Sequence, residues 1–360
     1  MDKRAVAVLS TSNLIHNLNV IKSYSRGAKI IAMVKANAYG HGIRSVSLRI
    51  APLVDMLGVA SVEEAMILRA GLNIKTPIVL MQGVLEQYDL ILASNNDLDV
   101  VLHNYAQLDW FLNLGLKQKL RIWIKVNTGL GRLGFPASDI YKVYEDVSKS
   151  NNVLEPVRIM SHFACADDPH HELNYKQIGL FQNIVDKVDT EFSLCNSAGI
   201  FNFPDYVFNY VRPGLALYGA SPVLGRLASD YDLRPVMTVS TILTSIQKFK
   251  KGDYIGYGGL YVCPEDMLVG IASFGYGDGY PMNNEGKAQV LLNDKLCSVI
   301  GKVSMDMIAV DLRECLNAKV GDKVILWGEG LPVEALASQT HNSPYNLLTG
   351  VQNRVKFIWQ

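Results

Sequence analysis

Hydrophobic positions along the chain fall first into short runs at residues 30–34, 56–60, 77–81, 98–102, 121–126, 157–160, 192–195 and 210–211. Continuous apolar runs bounded by polar turns read as strands buried on both faces, the habit of parallel sheets. Between them lie stretches with helical spacing. One opens at Ser61-Val62-Glu63-Glu64, a capping-box signature that predicts a helix over 65–70, stopped by Gly71. Eight such strand–helix units in roughly 200 residues favour an α/β fold built as a (β/α)8 barrel, with an open doubly wound sheet as the alternative.

Near Leu233 the texture changes, as helical periodicity gives way to runs at 236–246, 267–272, 288–292 and 323–327 set between Gly- and Asp-rich turns. This predicts a second, mostly-β domain. The expected organisation is a barrel domain over 1–232 and a β-rich domain over 233–360. The run 5–9 lies outside the barrel count, and residues 1–10 are expected to supply a strand that pairs with the second domain. A helix capped near Ser12 or Asn13 follows, with Leu14, Leu18 and Ile21 on one face.

Composition narrows the function. With 360 residues, 49% of them hydrophobic, the chain can bury a large core without staples. Its 34 basic and 34 acidic residues give a net charge of zero and no basic face, which excludes a nucleic-acid partner. The apolar run ending at Leu9 is too short for a secretory signal and no run reaches membrane-spanning length, so no membrane partner and a cytoplasmic location are expected. Cys165, Cys195, Cys263, Cys297 and Cys315 are odd in number and never form C-x-x-C, so they read as buried thiols, with no metal site indicated.

In a (β/α)8 barrel the chemistry belongs at the C-terminal ends of the strands. The first strand ends at Lys35, in Val34-Lys35-Ala36-Asn37-Ala38-Tyr39-Gly40-His41-Gly42. Alone, such a lysine snorkels to solvent. Desolvated at a barrel mouth, its amine can form a Schiff base with an aldehyde cofactor. The loops after strands seven and eight, Asn196-Ser197-Ala198-Gly199 and Arg212-Pro213-Gly214-Leu215, suit a phosphate: Ser197 offers a hydroxyl, Gly214 and Leu215 offer backbone N–H groups. Taken singly, these are ordinary turn residues. Strand five ends with Lys125 and a loop in which Gly129, Gly131 and Gly134 surround Arg132, whose fork fits a carboxylate. The glycine spacing mimics a dinucleotide fingerprint, but it lies mid-chain and is followed by Pro136, so that reading is rejected. Strand six ends at Ser161-His162-Phe163-Ala164, where His162 on its own would be a core histidine.

The segment 34–42 closely resembles the cofactor-lysine signature of bacterial alanine racemases, pyridoxal-phosphate enzymes of fold type III. Similar segments follow in order: Lys125 to Gly134, His162-Phe163-Ala164, Asn196-Ser197-Ala198, Val211 to Gly219, Gly275-Tyr276-Gly277-Asp278-Gly279 and Ser304-Met305-Asp306. The resemblance implies a TIM-type barrel followed by a mostly-β domain, and interconversion of L-alanine and D-alanine to supply D-alanine for peptidoglycan. It implies that Lys35 carries pyridoxal 5'-phosphate and exchanges a proton on one face of Cα, with Tyr276 on the other. Two bases are needed because inversion removes a proton from one side and delivers it to the other.

By the same resemblance, Tyr276 and Met305 complete the site of the partner subunit in a homodimer. Tyr39, Ser197, Gly214 and Leu215 hold the phosphate; Arg212 faces the pyridine nitrogen, and His162 links Arg212 to Tyr276. Arg132 and the N–H of Met305 bind the substrate carboxylate, with Asp306 in support, and Lys125 matches a lysine that is carbamylated in many relatives and holds the arginine. The chain departs from the family at Asn127, Lys302 and Lys356, and at Asn353, which aligns with a tyrosine that often lines the entrance. A wider entrance makes serine the first further substrate to test. The alternatives are a broader serine racemase, a fold-type III amino-acid decarboxylase, and a non-catalytic cofactor-binding protein, against which the second domain with Tyr276 argues.

Overall fold

The computed structural model describes residues 4–283 and 286–360. The chain divides into two compact units, one made of Asn17–Leu217 and Pro222–Arg226, the other of Met1–His16, Tyr218–Ser221 and Leu227–Gln360. The division falls earlier than 232 because segments before that point already bond within the second unit. Val236 N–H donates to Tyr218 O, and the Glu334 carboxylate accepts from Ser221 and Ala228 N–H.

The chain enters through β1 (Ala5–Leu9) and then builds the barrel from β2 (Lys29–Met33), β3 (Met56–Val59), β4 (Ile78–Leu80), β5 (Leu98–Leu102), β6 (Ile122–Asn127), the short β7 (Phe135–Pro136), β8 (Arg158–Met160), β9 (Phe192–Asn196) and β10 (Tyr210–Arg212). Neighbours pair in the order β5-β4-β3-β2-β10-β9-β8-β6, and β5 pairs with β6 to close the ring, all parallel. The eight apolar runs are therefore the eight barrel strands. Ile31, Leu57, Val79, Val100, Ile124, Ile159, Leu194 and Val211, one from each, are fully buried, as parallel strands covered on both faces require. β7, which the hydrophobic pattern did not mark, pairs with the end of β6 after the glycine loop.

A polar ring closes the N-terminal end of the barrel. Asp99 is fully buried and accepts from Arg121 Nε at 2.6 Å and Trp123 Nε1 at 3.2 Å. Glu191 accepts from Arg158 Nε and Lys29 Nζ, each at 2.7 Å. These strand-start residues leave the opposite end for chemistry.

Two helix boundaries differ from expectation. The helix Thr11–Tyr24 is capped by Ser10, whose Oγ accepts from Asn13 N–H at 3.1 Å; Leu14, Leu18 and Ile21, expected to share one face, are all fully buried. Val62–Leu72 runs through Gly71 and stops at Asn73, which takes the left-handed conformation at φ 55.

In the second unit come β11 (Met237–Phe249), β12 (Tyr254–Ile255), β13 (Tyr261–Val262), β14 (Met267–Ala272), β15 (Gln289–Leu292), β16 (Lys295–Ile300), β17 (Ile308–Asp311), β18 (Lys323–Trp327) and β19 (Lys356–Trp359). One sheet runs β14-β17-β16-β15-β18-β11-β1-β19, with β14 also pairing β11; β1 lies antiparallel to β11 and parallel to β19. Residues 1–3 of the strand expected over 1–10 lie outside the described residues. The expectation that helical texture ends at Leu233 is corrected by two short helices, Val333–Gln339 and Pro344–Thr349. All five cysteines are free; four are buried and Cys165 is half-buried.

Candidate active site

The first unit gathers its site at the C-terminal ends of the barrel strands. Directly after β2 the backbone turns left-handed for four successive L-residues, Ala36 (φ 51), Asn37 (φ 53), Ala38 (φ 54) and Tyr39 (φ 52), before Gly40 at φ 82 and Gly42 at φ 94. Each left-handed L-residue costs roughly 1–2 kcal/mol, so bonds must hold the segment. Ala38 N–H donates to Val34 O at 2.9 Å, Gly42 N–H to Asn37 O at 2.9 Å, and Ile43 N–H to Asn37 Oδ1 at 2.8 Å. Lys35 stands at the head of this segment. Its amine has no hydrogen-bond partner among the described residues, and burial, then Arg132 and Arg212, lower its pKa against the opposing pull of Glu64.

Tyr39, at the far end of the segment, packs on the loop after β10: a Cβ on Gly214 would lie 2.3 Å from the Tyr39 Oη. Ser197 Oγ accepts from Gly214 N–H at 2.8 Å and from Ala216 N–H at 3.3 Å, binding the loops after β9 and β10 together. Leu215 follows directly and is buried. The four residues expected at a phosphate are thus adjacent.

Arg212 is almost wholly buried. Its guanidinium donates to Ser193 Oγ, to Ser161 O and to Leu194 O (3.1 Å), and Nη2 lies 3.2 Å from His162 Nδ1. Burial lowers its pKa to about 10, so it stays charged at neutral pH. The third nitrogen, Nε, is buried and has no partner among the described residues. A buried, unpartnered donor on a positioned guanidinium is what a heteroaromatic nitrogen acceptor would satisfy. His162 is held well below the usual histidine range by desolvation first, then by Arg212, Lys125, Arg132 and Lys35. The ring is therefore neutral, and a donor at Nδ1 assigns its proton to Nε2.

Asn127 Oδ1 accepts from Gly129 and Gly131 N–H, each at 3.1 Å, so at this departure from the family the amide holds the loop together. Gly134 (φ 128) comes so near β6 that a Cβ would sit 2.5 Å from Asn127 N. The loop presents Arg132 exposed, without a hydrogen bond or ion pair among the described residues. Lys125 is buried; desolvation, with Arg212, Arg132 and Lys35 nearby, lowers its pKa to about 7. Two lysines and two arginines share this end of the barrel, and Glu64 is the one carboxylate acting on Lys35 among the described residues.

The second unit brings Tyr276, Met305 and Asp306 together. Tyr276 N–H donates to Ser304 O at 3.1 Å and Gly277 N–H to Met305 O at 2.9 Å, while a Cβ on Gly275 would lie 2.2 Å from Ser304 O. Asp278 closes the turn by accepting from Gly275 N–H at 3.0 Å. It is fully buried and paired with Arg4 and with Arg354 Nε (2.9 Å), and Arg354 also binds Asp306. Met305 is exposed, and its N–H donates to no group among the described residues. Asn353 is exposed beside Arg354.

Sequence reasoning missed Arg4, Asp278 and Arg354 as supports of the Tyr276 turn and read Glu64 only as a helix cap. Asp278 did lie inside the quoted glycine motif, but nothing local marks the arginines that reach it from residues 4 and 354.

The family model described as the alanine racemase N-terminal domain matches residues 9–222, and the C-terminal domain model matches residues 236–359. The alanine racemase of Aeromonas hydrophila subsp. hydrophila is 40% identical over 353 residues, covering 98% of both chains. That of Legionella pneumophila is 40% identical over 357 residues, covering 99% of this chain and 100% of its own. Among solved structures, the biosynthetic alanine racemase of Pseudomonas aeruginosa superposes with a TM-score of 0.96 at 35% identity, covering 99% of each chain. The alanine racemase of Bartonella henselae with covalently bound pyridoxal phosphate gives 0.89 at 28% identity, again covering 99% of each.

Proposed function

This chain belongs to the alanine racemase family of pyridoxal-phosphate-dependent isomerases, and on that premise we propose that Lys35 and Tyr276 are the two acid/base groups with which it interconverts L-alanine and D-alanine. The observation that carries the reading is Arg212, whose buried Nε has no acceptor among the described residues although both of its Nη atoms are engaged. When bound, pyridoxal phosphate supplies an aldehyde carbon that amines attack and a ring that takes up the electron pair left at Cα. Tyr39, Ser197, Gly214 and Leu215 hold its phosphate, and Arg212 Nε–H donates to its ring nitrogen.

Because the Arg212 guanidinium keeps its proton, it donates to that nitrogen without protonating it. Held this way, Arg212 would leave the bound ring a weaker electron sink, and so would favour return of a proton to Cα over transamination. The lowered pKa of Lys35 leaves more of its amine neutral, as a nucleophile and a proton acceptor at Nζ. Arg132, without a hydrogen bond or ion pair among the described residues, takes the substrate carboxylate together with the N–H of Met305 of the partner subunit, which fixes Cα between the two bases. Tyr276 Oη carries the second proton, and neutral His162, donating from Nε2, stabilises its phenolate.

Tyr276 and Met305 act in the site of the partner subunit, making the working unit a homodimer. Lys125, with an amine pKa of about 7 and no acidic partner among the described residues, is carbamylated: its nitrogen attacks carbon dioxide, releases a proton and becomes an anion that steadies Arg132, while Asp306 holds the Met305 loop through Arg354. No helix among the described residues is long and apolar enough to cross a membrane; a cytoplasmic location and a role in supplying D-alanine for peptidoglycan complete the reading. The relatives named above are alanine racemases, which does not favour decarboxylation.

The test is chiral analysis of L-alanine incubated with the protein and cofactor. D-alanine should accumulate to near equality, and borohydride reduction should fix the cofactor on Lys35. Unchanged L-alanine, or an adduct on another lysine, would overturn the reading.

A further inference from the structure

We infer that Glu64 is a positioning residue for Lys35, a carboxylate that ties the left-handed segment after Lys35 to the end of the neighbouring barrel strand. The inference rests on the reading of Lys35 as the cofactor lysine. Glu64 sits in the first turn of the helix Val62–Leu72, whose N-cap is Ser61. In an ordinary capping box its carboxylate would return to the N-cap backbone N–H. Here Oε2 accepts from Ala60 N–H at 2.8 Å and Oε1 accepts from Ala36 N–H at 2.7 Å. Capping the helix accounts for neither the reach to Ala36 nor its place in the chain.

Ala36 is the residue after Lys35 and the first of the four left-handed residues. The other bonds given above for this segment stay within residues 34–43, whereas the Ala36 bond crosses from β2 to the end of β3. It therefore fixes the direction in which the Lys35 side chain leaves the strand. Both carboxylate oxygens are in use, which makes the demand specific. Aspartate is one methylene too short to span the two donors, and glutamine turns an NH2 toward one of them. The same carboxylate opposes Arg132 and Arg212 at the Lys35 nitrogen, so position and charge come from one group.

The test compares wild-type, Glu64→Gln and Glu64→Asp holoenzymes by pH titration of the visible cofactor band, racemisation kinetics and thermal melting. The Glu64 charge favours a proton on the Lys35 nitrogen, so Glu64→Gln should move the midpoint of the band to lower pH by roughly half to one unit. Glu64→Asp keeps the charge but not the span. It should leave the midpoint near wild type while lowering kcat by about tenfold or more, with KM changed less. A fall in melting temperature with wild-type midpoint and kcat in both variants would reduce Glu64 to a helix cap and overturn the inference. Should Glu64→Gln fail to fold, the kcat of Glu64→Asp decides alone. An adduct of the wild-type protein on a lysine other than Lys35 would sink the underlying reading separately, and with it any role for Glu64 there.

Discussion

Gly214→Ala is the sharpest steric perturbation of the proposed cofactor site. The new Cβ would sit 2.3 Å from the Tyr39 Oη and 2.8 Å from its Cζ, so the tyrosine or the loop must move by about 1 Å to restore ordinary contact. Gly214 does not have a positive φ, which leaves the clash as the sole source of strain. Overpacking of this size costs about 1–3 kcal/mol of stability, or roughly 3–10 °C in melting temperature for a unit of this size. Either movement also disturbs the cradle. Shifting the loop breaks the 2.8 Å bond from Gly214 N–H to Ser197 Oγ, worth about 1 kcal/mol; shifting Tyr39 removes a hydroxyl from the phosphate, a charged bond worth about 1.5–3 kcal/mol. Whichever group moves, cofactor binding weakens by about 1–3 kcal/mol, roughly 5- to 150-fold. Absorbance titration of cofactor-free protein with pyridoxal phosphate reads the affinity directly. Gly179→Ala, within the helix Glu172–Val185 and with nothing within 4 Å of the new Cβ, is the control and should bind normally. Wild-type affinity in Gly214→Ala would show that Tyr39 and Gly214 do not form the phosphate cradle.

Arg121→Ala removes the closest cation from fully buried Asp99 and should cost about 3 kcal/mol in urea unfolding, since Arg158 at 3.6 Å remains as a weaker partner; a loss below about 1 kcal/mol would show that the ring at the barrel base is not stabilising. The Lys125 amine, with a pKa of about 7, is protonated below that value and nucleophilic above it, so carbamate on Lys125 should rise between about pH 6 and 8, read by carbon-13 NMR in labelled bicarbonate. A pH-independent signal, or none that Lys125→Ala abolishes, would contradict the carbamate.

The barrel was legible because its strands are covered on both faces and so read as unbroken apolar runs; 98–102 matches β5 residue for residue. The C-terminal unit was less legible. β16 and β19 carry exposed residues such as Lys295, Leu296 and Ile358, which blur the apolar signal, and a helix of seven residues, Val333–Gln339, is too short for its period to show. Gly71 misled because glycine costs a helix only about 1 kcal/mol, less than its packing returns. The left-handed segment had no local signal beyond Asn37 and the two glycines, since alanine disfavours that conformation; tertiary bonds such as Ala36 to Glu64 impose it. The same limit hid Arg4 and Arg354, which meet Asp278 only once β1 and the C-terminal segment have folded. Lys35 and Tyr276 were singled out by the family resemblance of the motifs around them; local pattern alone reads Lys35 as a lysine reaching for solvent and says nothing of Tyr276.

The two-base claim is tested most directly by Tyr276→Phe in deuterated water, which removes one oxygen and keeps the ring. A general acid/base group contributes roughly 100- to 10,000-fold, so racemisation should fall by about that much while the visible cofactor band persists. Lys35 still serves its own face of Cα, so deuterium should wash into one alanine enantiomer with retention far faster than either enantiomer inverts. Equal loss of exchange from both enantiomers, or racemisation close to the wild-type rate, would contradict the role given to Tyr276.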